Sequence, residues 1–404
     1  MRREGGLIMN FGRLLLYLLA SASMVFATTT GLPTLEKGEW VITGEETITD
    51  SVINAVNVTI ESGGALTLSG STLQLTNPPS STVWVKAGGT LKIFGNSAVT
   101  TTSATTGYLF WADPDSVLEI MDSAITKCGF NSFDYKYAGP YVRTNAIINN
   151  SIFEYNFDGL IIRNSPATIT NSNFTNNEEM GIFLHTSKSS ILQGNEIKNN
   201  GAFGVEVLDG SDNALAANVV ENNLLDSVYI HGNSADNIVG GTLAGGLSLN
   251  ASANSIEDAY ISDENANVTL YAAFPGQTLR NVEFARGAKL TIEAVGTTLE
   301  NVTMTDAEGI VVEGSDTAAK ENPITIKNSV IKIRTPATLP PITASLMTPK
   351  QAVIVRAAYT KIGGTTIEAE NATALLVENA DGVTVTDTVL QGSQPPARLV
   401  TALL

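Results

Sequence analysis

Cysteine is nearly absent from this chain of 404 residues: Cys128 is the only one. One thiol cannot close an intramolecular disulfide, so no oxidised framework holds the fold. Cys128 is expected to be a small buried apolar residue. Histidine occurs twice, at His185 and His231, which excludes a zinc site built from a spaced set of Cys and His. Basic residues are scarce. Lys and Arg total 23 against 40 Asp and Glu, a formal net charge of -17. Such a surface repels nucleic acid and anionic lipid, and neither is expected as a partner. It also hinders binding of a polyanionic polysaccharide without a metal or local Arg and Lys. Beyond residue 27 there is no apolar run of membrane length, so no span is expected in the mature chain. Phosphate loops, nucleotide fingerprints and serine-nucleophile elbows are also missing.

Hydrophobic residues make up 43%, enough for a continuous core. Gly, Asn, Thr and Ser are plentiful, a composition of strands and tight turns. The N-terminus has the layout of an export signal, residues 1–27. Arg2, Arg3 and Arg13 precede an apolar run from Leu14, and Val25 and Ala27 suit cleavage before Thr28. The competing reading is an uncleaved anchor. Met9 is a second possible start.

Between Asn149 and Asn233 one pattern recurs four times: an Asn-rich turn, a small residue, then an alternating apolar strand. The small residues are Gly159, Gly181, Gly204 and Ser227, at spacings of 22, 23 and 23. A period of that size marks a solenoid of stacked coils. A second form of the repeat fills residues 28–148. Val58 to Leu68, Val83 to Ile93 and Phe110 to Ile120 align as strand, tight turn, strand. Gly-Gly pairs supply positive φ in the first two. An aromatic segment, residues 128–143, interrupts this block and reads as a loop leaving the coil. It either packs back on the coil flank or binds a ligand. Residues 234–390 continue as less regular coils, with Thr278 to Phe284 matching Thr298 to Met304. The Pro-bearing stretch from Thr335 to Thr348 is expected to be an excursion between coils or a boundary, and residues 391–404 an irregular tail. Roughly 13–15 coils are expected, about 60–70 Å of rod at the usual strand spacing. Paired Asn such as Asn176-Asn177, Asn199-Asn200 and Asn222-Asn223 are expected to stack as ladders.

These repeats resemble those of right-handed parallel β-helix proteins, the pectin-lyase-like superfamily, including secreted and cell-surface members from archaea and bacteria. The resemblance implies an all-β, right-handed, single-stranded parallel β-helix. It does not choose a function, because lyases, hydrolases, epimerases, adhesins and surface-layer proteins share this architecture.

Alternation places Leu160/Ile162, Ile182/Leu184, Val205/Val207 and Val228/Ile230 inward. Two outward columns follow. One reads Ile161, Phe183, Glu206, Tyr229, extended backward to Thr59, Trp84 and Trp111 and forward to Tyr260. The other reads Arg163, His185, Leu208, His231. Trp84, Trp111, Arg163, Phe183 and Tyr229 therefore define a candidate binding face, on which aromatic rings can stack against sugars or pack against another surface protein. The two histidines lie two coils apart, about 9–10 Å at the backbone, too far for joint ligation of one zinc. Glu206 lies between them, with Asp209 and Asp226 nearby. His185, Glu206, Tyr229 and His231 are accordingly the catalytic candidates if the chain is an enzyme.

The polygalacturonase-like set is absent, since no Asp-Asp pair occurs. So is the Asp-Pro-His-Asp signature of alginate epimerases, to which Asp113-Pro-Asp115 is the nearest fragment. No cofactor is expected, with calcium implied only for a lyase. Of seven Asn-x-Ser/Thr sequons, Asn57, Asn250 and Asn267 are the expected exposed glycosylation candidates. Two readings remain: a non-catalytic exported surface or envelope protein acting in structure, adhesion or carbohydrate binding, or a polysaccharide lyase or related enzyme. Polysaccharides or other surface proteins are the expected partners, and the cell surface or exterior the expected location.

Overall fold

The computed structural model describes residues 38–400, apart from 263–265, 272–274, 314–319, 335–350, 371 and 393–396. The proposed signal and the Thr335–Thr348 excursion lie outside the described residues. The chain winds as a right-handed parallel β-solenoid. Among the described residues one face, here called sheet one, contains sixteen parallel strands, from Glu39–Ile42 to Ala397–Val400. Fifteen turns thus separate its first and last strands, at the upper end of the expected range. The stretch from residue 391 departs from the expected irregular tail: Ala397–Val400 pairs with Thr373–Glu378.

The other twenty-seven strands of the described residues form two further faces, sheets two and three. They join because three long strands, Ala214–Glu221, Ile238–Ala244 and Ser255–Ser262, bend around the corner and serve both. In most other coils that corner is one residue in the left-handed conformation, and at Gly95-Asn96 it is two. Asp50, Gly70, Asp122, Asn150, Asn171 and Gly194 hold it, with φ between 48° and 67°. These residue types tolerate positive φ, which is why the turns read as Asn, Asp and Gly. Gly63 and Gly88 adopt φ of 80° and 76°, as their Gly-Gly pairs imply, and Asp115 takes the same role in the third coil.

Inside, alternate residues of every face stack on their equivalents one coil away. Val58, Val83 and Phe110 are in register and fully buried. Phe153 and Phe174 stack with centroids 4.8 Å apart. Each buried side chain of this size contributes about 1.5–3 kcal/mol, repeated coil after coil. The Gly markers have a packing reason. A Cβ on Gly159 would lie 2.2 Å from the Gly181 carbonyl oxygen of the next coil.

Polar ladders close the corners. Asn177 and Asn200 are buried, and the Asn200 amide Nδ2 donates to Phe174 O at 3.1 Å and to Asn223 Oδ1 at 2.9 Å. Only the second Asn of each pair enters this ladder. The first, at 176, 199 and 222, takes left-handed φ instead.

Candidate functional site

Strand register in sheet one fixes the outward columns. Thr59, Trp84, Trp111, Tyr141, Ile161, Phe183, Glu206 and Tyr229 are successive partners. Arg163, His185, Leu208 and His231 form the second column beside them. Tyr260 does not extend the first. It sits in sheet three, paired with Thr242 and Glu283, and Ser248 takes the place beside Tyr229. The long strand Ser255–Ser262 crosses a corner, which shifts the alternation by which Tyr260 was placed.

The aromatic segment differs from the expected loop. Cys128 bridges to Tyr108 and is fully buried, and Pro140–Val142 is a strand of sheet one. Only residues 130–139 leave the coil, carrying a short 3-10 turn at Tyr135–Tyr137. That excursion folds back over the first column. Tyr135 meets Phe183 at 5.0 Å and His185 at 5.6 Å, both edge to face. The Trp111 indole Nε1 donates to Lys136 O at 2.6 Å. Ile161 and Phe183 are 0% exposed, and with Tyr141 and Ala138 they make a second small core outside the coil.

The tryptophans do not form a flat platform. Trp84 and Trp111 meet edge to face, 5.8 Å apart at 86°, and the Trp84 indole donates to Asp113 Oδ2. Tyr229 lies flat on His231, with centroids 4.3 Å apart at 8°, and on Phe203 at 4.9 Å. Arg163 donates through Nη1 to the Tyr141 hydroxyl.

The structure brings Glu206 and His231 into contact: Oε1 and Nε2 lie 2.7 Å apart. Glu206 is 8% exposed. Burial pushes its carboxyl up, and the bond to His231 opposes that shift. His185 is held apart from this pair. It stacks on Phe183 at 5.4 Å, its Nδ1 has no hydrogen-bond partner, and burial, then Arg163, lowers its pKa. His185 is therefore neutral near pH 7.

One acidic residue was missed in the sequence. Asp158 is buried and pushed up to about 7, chiefly by burial, with Glu179 and Glu206 adding to the shift. The Met180 N–H donates to its Oδ1 at 3.2 Å and opposes the shift. Its signal was position. It directly precedes Gly159, where the next two repeats carry Met180 and Phe203. Asp226 occupies the same place in the fourth repeat and is also raised by burial. Among the described residues no group of three or more His, Cys, Asp or Glu is placed to hold a metal. Also among them, no helix is long and apolar enough to cross a membrane.

Of the glycosylation candidates, Asn267 is exposed, whereas Asn57 and Asn250 are half-buried. The Asn57 amide already donates to Glu39 and accepts from the Thr82 N–H. Asn173 and Asn301 are exposed sequons that the sequence did not single out.

A family model described as the right handed beta helix region matches residues 37–254. No curated protein sequence matches the chain significantly. Among solved structures, the periplasmic alginate epimerase AlgG is similar at 13% identity and a TM-score of 0.48, over 84% of this chain and 78% of that one. An alginate lyase of type PL6, solved with a trisaccharide, is similar at 13% identity and 0.47, over 90% and 83%. The mannuronan C-5 epimerase AlgE4 A-module of Azotobacter vinelandii follows at 14% and 0.37, over 84% and 91%. At these identities and superpositions, no activity passes from them to this chain.

Proposed function

Because the chain belongs to the right-handed β-helix family, whose architecture fixes no chemistry, we propose from its own surface that it is an exported, non-catalytic protein of the cell surface or envelope. In this reading it acts in surface structure or adhesion. One observation carries it: residues 130–139 close over the first outward column, leaving Ile161 and Phe183 fully buried. A groove that processes a polymer needs its reacting groups open to that polymer. Here Glu206 is turned into its own contact with His231, and His185 is packed between aromatic rings. The basic, apolar N-terminus supports export. Exposed sequons such as Asn267 are the glycosylation sites this reading offers, and other surface proteins or neutral glycans are its partners.

The test is location. The full chain, expressed in its source cells, is followed by cell fractionation and by protease treatment of intact cells. This reading expects the protein outside the cytoplasmic membrane, without residues 1–27. Recovery of the uncleaved chain in the cytosol would contradict it.

A second reading, a polysaccharide lyase or related enzyme, has a specific observation behind it. Asp158, Glu206 and Asp226 all have raised carboxyl pKa values on or beside one face, with His231 in hydrogen-bond contact with Glu206. Perturbed acids close to a histidine are the usual makings of general acid-base chemistry. Tyr229 and His185 would then flank the reacting sugar, and calcium would be sought as a partner for an acidic substrate.

A further inference from the structure

A cavity of about 560 Å³ opens at the corner where sheet three passes into sheet one, beneath the turn at residues 103–107. It lies on a different side of the coil from the histidine column. Phe130, Tyr155 and Phe157 line it with aromatic surface, and Lys127, Asn176 and Glu178 with polar groups. A cavity of this size falls in the range used for small ligands.

The backbone gives an independent sign. Five successive coils turn this corner through one residue in the left-handed conformation: Lys127, Tyr155, Asn176, Asn199 and Asn222, with φ of 55° to 57°. Asn accepts that conformation readily, while a bulky aromatic or a lysine does not. The two departures from Asn in this run are adjacent, and both line the cavity. Arg286 departs from Asn at the same corner farther along, with φ 53°, but Lys127 and Tyr155 fall in neighbouring coils, and two such residues facing one cavity point to a use for the side chains they present. Tyr155 is 57% exposed, which gains little from burial.

We propose that this corner is a binding site for a neutral pyranose, with the ring stacked on Tyr155 against the Phe130 and Phe157 wall. A pyranose has an apolar face and a rim of hydroxyls. The cavity has aromatic faces and a rim with both donors, at Lys127 and Asn176, and an acceptor, at Glu178. Among the described residues Lys127 and Glu178 form no ion pair, so both are available to hydroxyls. Their charges offset each other locally, which favours a neutral sugar over a uronate.

Saturation-transfer NMR on the full chain with the methyl pyranosides of glucose, mannose, galactose and N-acetylglucosamine tests this. At least one glycoside is expected to receive saturation. Tyr155→Asn restores the usual corner residue, so its melting temperature is expected to equal or exceed that of the parent. It should nonetheless weaken binding about fivefold or more. Glu178→Gln, at an exposed position, should weaken it without changing the melting temperature, and Trp84→Ala should leave it intact. No transfer to any of the four glycosides would overturn the proposal. So would transfer that survives Tyr155→Asn or is lost in Trp84→Ala.

Discussion

Glu206 Oε1 and His231 Nε2 lie 2.7 Å apart on neighbouring coils, and the carboxyl end of that contact is the more buried. The raised pKa of Glu206 means that the folded state holds its proton more tightly than the unfolded chain. Stability from this group is full below the unfolded value, about 4.3, and is lost as pH rises through the folded value. His231 limits that loss. His231→Ala is expected to cost about 2 kcal/mol at pH 8, where a buried carboxylate loses its partner, and clearly less at pH 4. Urea denaturation at the two pH values checks this. An equal cost at both would contradict it.

Asp158 supplies the larger pH effect. Its carboxyl moves from about 3.9 in the unfolded chain up to about 7. The folded state therefore binds the extra proton, and stability falls between about pH 4 and pH 7, by on the order of 4 kcal/mol in total. Asp158→Asn keeps an oxygen to accept from the Met180 N–H and removes the charge. The variant is expected to be the more stable protein at pH 8 and to lose most of the decline between pH 4 and 7. Melting curves across that range provide the measurement.

The buried Asn ladder should dominate local stability. Asn200→Ala removes the partner of Phe174 O and of the Asn177 N–H, both inside the coil. Leaving buried backbone groups unpaired costs about 1–3 kcal/mol each. A loss of about 3 kcal/mol is expected in urea denaturation. Asn173→Ala, at an exposed position, should change stability by less than about 0.5 kcal/mol.

The excursion at 130–139 should act as a cover. Tyr137 lies 6.0 Å from Trp111 and stacks on Phe130. Tyr137→Ala is expected to cost about 1 kcal/mol, to shift tryptophan emission to the red and to raise acrylamide quenching. Trp40, 4% exposed inside the coil, supplies the unchanged background. Emission identical to the parent would show that the cover does not depend on this contact.

Much of the fold was legible because a solenoid repeats its local rules. The spacing of Gly159, Gly181 and Gly204 fixed the register that put Phe183, Glu206 and Tyr229 in one column. Tyr260 falls outside that column because its strand bends through a corner at Asp258, φ 52°. Nothing in the alternation of side chains marks such a bend. The 128–143 segment is coil at its ends, where Tyr141 looks like loop chemistry beside Gly139-Pro140 yet pairs with Trp111 and Ile161. Sequence gave the address of Glu206 and His231 on one face. It could not give their contact, which depends on how two side chains lean across adjacent columns, nor the burial that raises Asp158.

The most direct measurement of the central claim is turnover. The purified chain is incubated with alginate, pectate, chitin, xylan and mannan, with and without calcium, and assayed for new reducing ends and unsaturated products. The parent and Glu206→Gln are expected to be indistinguishable from a blank on every substrate. Product formed by the parent and lost in Glu206→Gln would contradict a non-catalytic role and establish the enzyme reading in its place.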